Sequence, residues 1–213
     1  MCFSATASFI VGGSLTVVGV ATLAKATRRS DLPFAAIPFL FGIQQSVEGL
    51  LWLSLQHDMA MLRTVMTYLF TLFSHLIWPA FVPFAIARME EGLPQKIEPW
   101  RKNTMWGFRA IGALVAMSLL ALVATQPLTA VVNVHIIYVT PFFYDWPMMV
   151  LYIAATCIVA LFSRHPLIRL FGLTVFAFFF VSWWFYTEAF FSVWCFFAAI
   201  LSGIIYLHFR RPR

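Results

Sequence analysis

Seven long apolar runs, separated by short charged stretches, occupy nearly the whole of this 213-residue chain. They lie at roughly 6–25, 34–56, 62–87, 105–125, 146–163, 167–187 and 190–208. A helix of about 20 apolar residues crosses the hydrocarbon of a bilayer, whereas an open strand would leave backbone groups unpaired in lipid. Hydrophobic residues make up 62% of the chain and charged residues 10%, where a soluble domain carries about 25% charged. The runs therefore predict an all-α fold, a single polytopic membrane bundle of seven transmembrane helices over 1–213, with the lipid bilayer as its first partner.

Lys and Arg stay on the cytoplasmic side during insertion. Threading seven spans puts Lys25, Arg28 and Arg29, the group Arg88, Lys96, Arg101, Lys102 and Arg109, the pair Arg164 and Arg169, and the tail Arg210, Arg211 and Arg213 on one side. Only Arg63 falls opposite. This predicts the N-terminus outside and the C-terminus inside, in a prokaryotic cytoplasmic membrane. The net charge of +6 is thus a topology signal. The basic residues form no stripe of the kind nucleic acid requires, so nucleic acid is not an expected partner. Lys25, the first basic residue, follows the first apolar run, so that run reads as a retained span and not a cleaved signal peptide.

Polar groups inside spans carry the functional information, because each is costly in lipid and must face the bundle interior or a wet cavity. In the second run Gln44, Gln45, Glu48 and Trp52 are related by steps of three and four and share one helix face. Glu48 lies about eight residues from the outer end, roughly 12 Å deep. A carboxylate there stays ionised only beside a cation, a metal or several donors. Two readings stand open for this stripe: packing glue between helices, or a ligand, proton or catalytic role.

The third run contains FSHLIWPAFVP, and Tyr68, Thr71, His75 and Trp78 share a face by the same spacing. Pro79 has no backbone N–H, so the carbonyl of His75 is expected to lose its helical partner, and Pro83 does the same to Pro79. A kink with free carbonyls is tolerated at depth only where it is buried in protein or faces a cavity. His75 is expected near the midplane, about 8 Å from Glu48 along the bilayer normal, which argues against their sharing a metal.

Residues 126–145 form the one long outer connection, and Val131 to Val139 has the β-branched composition of an extended segment. It is expected to fold over the bundle mouth as a lid, with His135 and Tyr138 as its tips and Tyr186, Thr187 and Glu188 near the same surface. Tyr138 and Trp146 are equally suited to be interfacial anchors. Cys2 and Cys195 fall near the outer surface, and unpaired thiols, a disulfide or a soft-metal site all remain open to them. Cys157, at mid-span, reads as a small buried hydrophobe. Ser8, Gly12 and Thr16, and likewise Ala199 and Gly203, have the small-residue spacing of close helix contacts, which points to the first and seventh helices as interior neighbours.

No Lys lies in the middle of the seventh run, as a retinal Schiff base would need, and neither an HExxH pattern nor a phosphate-cradling glycine loop is present. The segments MCFSATASF, QQSVEGLLW, SHLIWPAFVP, HIIYV and SVWCFFAA resemble a family of uncharacterised microbial polytopic membrane proteins that begin Met-Cys-Phe-Ser. The resemblance implies a seven-helix membrane protein and no particular activity.

Two functional readings follow. The first is an outward-facing intramembrane pocket for a metal or a small apolar ligand. Glu48 and His75 would be its principal and potentially catalytic groups. Gln44, Gln45, Trp52, Tyr68, Trp78, Tyr138 and Glu188 would bind the ligand, and Glu48, His75, Cys2 and Cys195 would hold a divalent transition metal. With a metal, Glu48 as ligand or general base would make this a hydrolase of a lipid-like substrate. The second is a small-molecule or proton-coupled carrier in which Glu48 takes the proton and the kink at Pro79 and Pro83 moves. A non-catalytic sensor or assembly subunit is a third alternative.

Overall fold

A computed structural model describes residues 4–95, 97–133, 135–139 and 146–210 of the protein. Cys2, Lys96, Arg211, Arg213 and the last part of the outer connection lie outside these. Among the described residues the chain forms seven apolar helical rods and one hairpin: α1 (Ala5–Lys25), α2 (Leu32–Gln56), α3 (Ala60–Glu91), α4 (Pro99–Thr125), β1 (Thr129–Val132), β2 (Ile136–Val139), α5 (Trp146–Leu161), α6 (Pro166–Phe185) and α7 (Thr187–Arg210). All but α5 are long and apolar enough to cross a membrane; α5 is the shorter. The fourth helix begins at Pro99 and not near 105, because Pro at its first turn and the Arg101–Lys102 pair are compatible with helix outside the hydrocarbon.

Helix α1 packs chiefly on α2. Its buried stripe runs Ser8, Gly12, Leu15, Gly19, Thr22. A Cβ on Gly12 would come 2.8 Å from Ser46 Oγ, and one on Gly42 would come 2.6 Å from Thr16 Oγ1. At this crossing the hydroxyls of Thr16 and Ser46 bond back to their own helices, to the carbonyls of Gly12 and Gly42. The helices are therefore joined there by close van der Waals contact. Helix α1 also touches α7, but Gly203 has open space around it; its spacing marks no close contact.

Helices α3 and α5 each contain one widened π-turn, Leu72–Ile77 and Ala154–Ile158. In the first, the N–H of Trp78 bonds five residues back, to Phe73. The next donor in that pattern would be Pro79, which has none, so the Ser74 carbonyl loses its partner in the π-turn. The Tyr152 hydroxyl of α5 donates to it. One turn on, the Pro79 carbonyl, opposite Pro83, is packed against α4 at Gly112, where a Cβ would lie 2.0 Å from that oxygen.

The hairpin pairs Thr129 with Val139 and Val132 with Ile136 in antiparallel register. It lies over one end of the bundle, with β1 against α3 and β2 against α7. Buried Tyr138 of β2 stacks on Phe70 of α3, ring centroids 4.4 Å apart. The opposite, basic end is tied by side chains. Arg28 bonds Asp31 at 3.1 Å and the Gly92 carbonyl at 3.0 Å, and Arg101 donates to the Phe162 carbonyl. Buried Glu90 accepts from Ser163 Oγ at 2.6 Å and from the Arg164 N–H at 2.9 Å.

Candidate functional site

The polar stripe of α2 is buried throughout: Gln44, Gln45 and Glu48 have no exposed surface. It is buried because α1, α3 and α7 cover α2. Trp78 Nε1 donates to Gln44 Oε1 at 2.7 Å, and its indole is stacked on Phe41. The Gln44 amide lies beside the Cys195 thiol of α7, which is also within electrostatic range of Glu48. Ser192 of α7 donates its hydroxyl to Glu48 Oε1.

His75 approaches the same stretch of α7. Its ring is 4.6 Å from that of Phe191, and its Nδ1 is 2.7 Å from Ser74 Oγ. Glu48 and His75 thus meet consecutive residues of α7, Ser192 and Phe191.

Gln45 differs from its neighbours. Neither its amide nitrogen nor its amide oxygen has a hydrogen-bond partner, and the Trp52 indole N–H and the Ser8 hydroxyl are likewise unpartnered. Each such buried group costs about 1–3 kcal/mol. Trp52 belongs to a buried cluster with Leu51, Phe70, Tyr138 and Cys195, so the hairpin closes over this region.

On the far side of Cys195 lies a cavity of about 40 Å³. Trp78, Tyr152, Thr156, Trp194 and Cys195 are in its wall. Their donors are largely engaged elsewhere: Trp78 with Gln44, Tyr152 with Ser74, and Trp194 with the Val175 carbonyl at 3.0 Å. The cavity is thus a mainly apolar space with room for about two waters, or for a few carbons of a ligand. Cys195 stands at the junction between it and the polar cluster.

Two of the expected site residues stand apart. Tyr68 is half-buried, while Thr67, Phe70, Thr71 and His75 turn inward. A π-turn inserts one residue and rotates the face that follows it by about 100°, so the spacing from Tyr68 to His75 does not describe one stripe. Glu188 is exposed and lines a separate pocket of about 360 Å³ at the hairpin end, together with Asn133, His135, Tyr186 and Thr187. His135 meets Tyr186 there edge to face at 5.5 Å. Cys2 lies outside the described residues. Among the described residues no group of three or more His, Cys, Asp and Glu side chains is placed to hold a metal ion.

Ser192 and Tyr152 were not signalled by any spacing. Nor were the buried Asp31 and Glu90.

These features define an integral membrane helical bundle with a buried polar cluster beneath a hairpin lid. The chain belongs to the family of unknown function DUF6629, whose model matches residues 1–213. No curated protein and no solved structure matches it.

Proposed function

We propose that this protein is a seven-span membrane protein, N-terminus out and C-terminus in, whose buried cluster binds a small, mainly apolar molecule carrying a hydrogen-bonding head group. The observation that carries this reading is Gln45. Packing glue would bond a neighbouring helix, as Gln44 does to Trp78, whereas both ends of the Gln45 amide are buried and unpartnered. An amide offers a donor and an acceptor side by side, which suits a carboxylic acid, an amide or a hydroxyl. The ligand's apolar part would enter the cavity walled by Trp78 and Cys195, which does not include Gln45 but adjoins Gln44 through Trp78.

The metal-hydrolase version has less support. Glu48 and Cys195 approach one another and His75 meets the next turn of contacts on α7, but a divalent transition metal would need these to converge as one set. The carrier reading is favoured by one observation, the π-turn beside Pro79 that ends one residue before Trp78, the donor to Gln44, since such turns are frequent at functional sites. The basic residues on one side support the orientation, and the resemblance to microbial proteins supports the prokaryotic cytoplasmic membrane.

Native mass spectrometry of the detergent-purified protein tests the binding reading. A retained small organic mass in the wild type, absent from Gln45→Leu, is the expected result. Wild type and variant both free of any such mass would overturn it.

A further inference from the structure

The lipid-facing side of α3 holds a groove of about 390 Å³ lined by Leu76, Ile77, Ala80, Phe81 and Phe84. It runs for about 12 Å along the helix, eight residues at 1.5 Å each. The π-turn and Pro79 lie along its course. At its basic end Phe84 leads directly to a guanidinium: Arg109 Cζ of α4 is 5.6 Å from the Phe84 ring and 4.8 Å from the exposed Trp106 ring. Arg109 is held in place by these two rings, at the level where tryptophan marks the headgroup region of a bilayer. A second pair, Arg101 over exposed Trp100, repeats the arrangement at the start of the same helix.

The charges there are unbalanced. Arg88 and Arg109 share one carboxylate, Glu91, each at 3.7 Å. Both contacts are long for charge-assisted hydrogen bonds, which lie near 2.7–2.9 Å. The trio therefore carries a net positive charge, with guanidinium donors left to bind an anion. Guanidinium forks match phosphate oxygens two by two.

We infer that this groove and Arg109 together form a binding site for an anionic glycerophospholipid, its phosphate on Arg109 and Arg88 and one acyl chain along Leu76 to Phe84. The site is independent of the Gln45 cluster, since its lining and charges lie on the outer faces of α3 and α4. Charge selects an anionic lipid over a zwitterionic one, and the groove selects a lipid over a free anion.

The test compares delipidated protein in detergent with added phosphatidylglycerol, phosphatidylcholine of the same chains, or inorganic phosphate. Binding is read by native mass spectrometry and by the thermal midpoint. Phosphatidylglycerol is expected to bind about tenfold tighter than phosphatidylcholine, a preference of the size one charge-assisted contact provides, and to raise the midpoint more. Arg109→Gln should abolish the preference. Ala80→Trp, which fills the groove and leaves the charges intact, should weaken binding of both lipids and serves alone if the arginine variant does not fold. Equal binding of the two lipids, unchanged preference in Arg109→Gln, or the same midpoint shift with inorganic phosphate would each overturn the proposal. So would a lipid-free dimer that Ala80→Trp dissociates, because the groove would then be covered by a second copy.

Discussion

The hydroxyl of Ser192 on α7 is bonded to the carboxylate of Glu48 on α2, two residues 144 positions apart in the chain and both fully buried. Ser192→Ala removes a donor from a carboxylate that cannot reach water. A loss of about 1–3 kcal/mol in stability is expected, seen as a lower thermal midpoint in detergent. Glu48→Gln keeps an acceptor for Ser192 and should cost less than Ser192→Ala. The reverse order would show that the bond does not hold the two helices together.

Gln45 should respond in the opposite sense. Replacing an unpartnered buried amide with leucine of similar size removes a desolvation cost, so Gln45→Leu should match or exceed the wild-type midpoint when no ligand is present. A midpoint several degrees lower would mean that Gln45 bonds a neighbouring helix after all.

The Ser74 carbonyl offers a cleaner test through a pair of variants. Tyr152→Phe leaves it without the hydroxyl that satisfies it and should cost about 1–3 kcal/mol. Pro79→Ala returns a backbone N–H to the position that the π-turn aims at this carbonyl. In that background Tyr152→Phe should cost markedly less. Equal cost in both backgrounds, measured as a double-mutant cycle on unfolding, would refute the link between Pro79 and Tyr152.

How much of this was legible in the sequence depended on the range of the interaction. Apolar runs are local, so the rods and the β-branched composition of 131–139 could be read directly, but not the turn that divides this stretch into two paired strands, Thr129–Val132 and Ile136–Val139. The chemistry of Pro79 was also local, and a disrupted carbonyl near His75 was expected. That the Ser74 carbonyl is also released depended on a single inserted residue in the turn, which no spacing reveals, and that insertion falls between Tyr68 and His75, so their spacing does not describe one stripe. Ser192 carries no periodic signal because its partner lies on another helix. Glu90 is buried against Ser163 and Arg164 from a distant connection, which no local pattern signals.

Gly112 and Gly107 lie on the same helix and should behave oppositely. A methyl at Gly112 would meet the Pro79 carbonyl at 2.0 Å, where backbone has to move; Gly112→Ala should cost about 1–3 kcal/mol by overpacking. Nothing lies within 4 Å of a Cβ on Gly107, so Gly107→Ala should be neutral or gain up to about 1 kcal/mol from helix propensity. Thermal unfolding of the two variants side by side decides it.

Orientation is tested by thiol labelling in a background with Cys2 replaced by serine. Asp58 and Gln95 are exposed in connections at opposite ends of α3. Asp58→Cys should react with an impermeant reagent applied to intact cells, and Gln95→Cys only after the membrane is opened. The reverse pattern would invert the protein.

The side-chain ties at the basic end also set an order of assembly. Arg28 reaches from the α1–α2 connection to the α3–α4 connection, Glu90 at the end of α3 holds the α5–α6 connection, and Arg101 at the start of α4 holds the end of α5. Each tie fastens only when two of these connections meet, and the full set only when three separate helical hairpins stand side by side. That end is a clasp which the chain can close only late, so a helix pair still missing would leave arginines and buried acids open together, a state that quality control could recognise as unfinished.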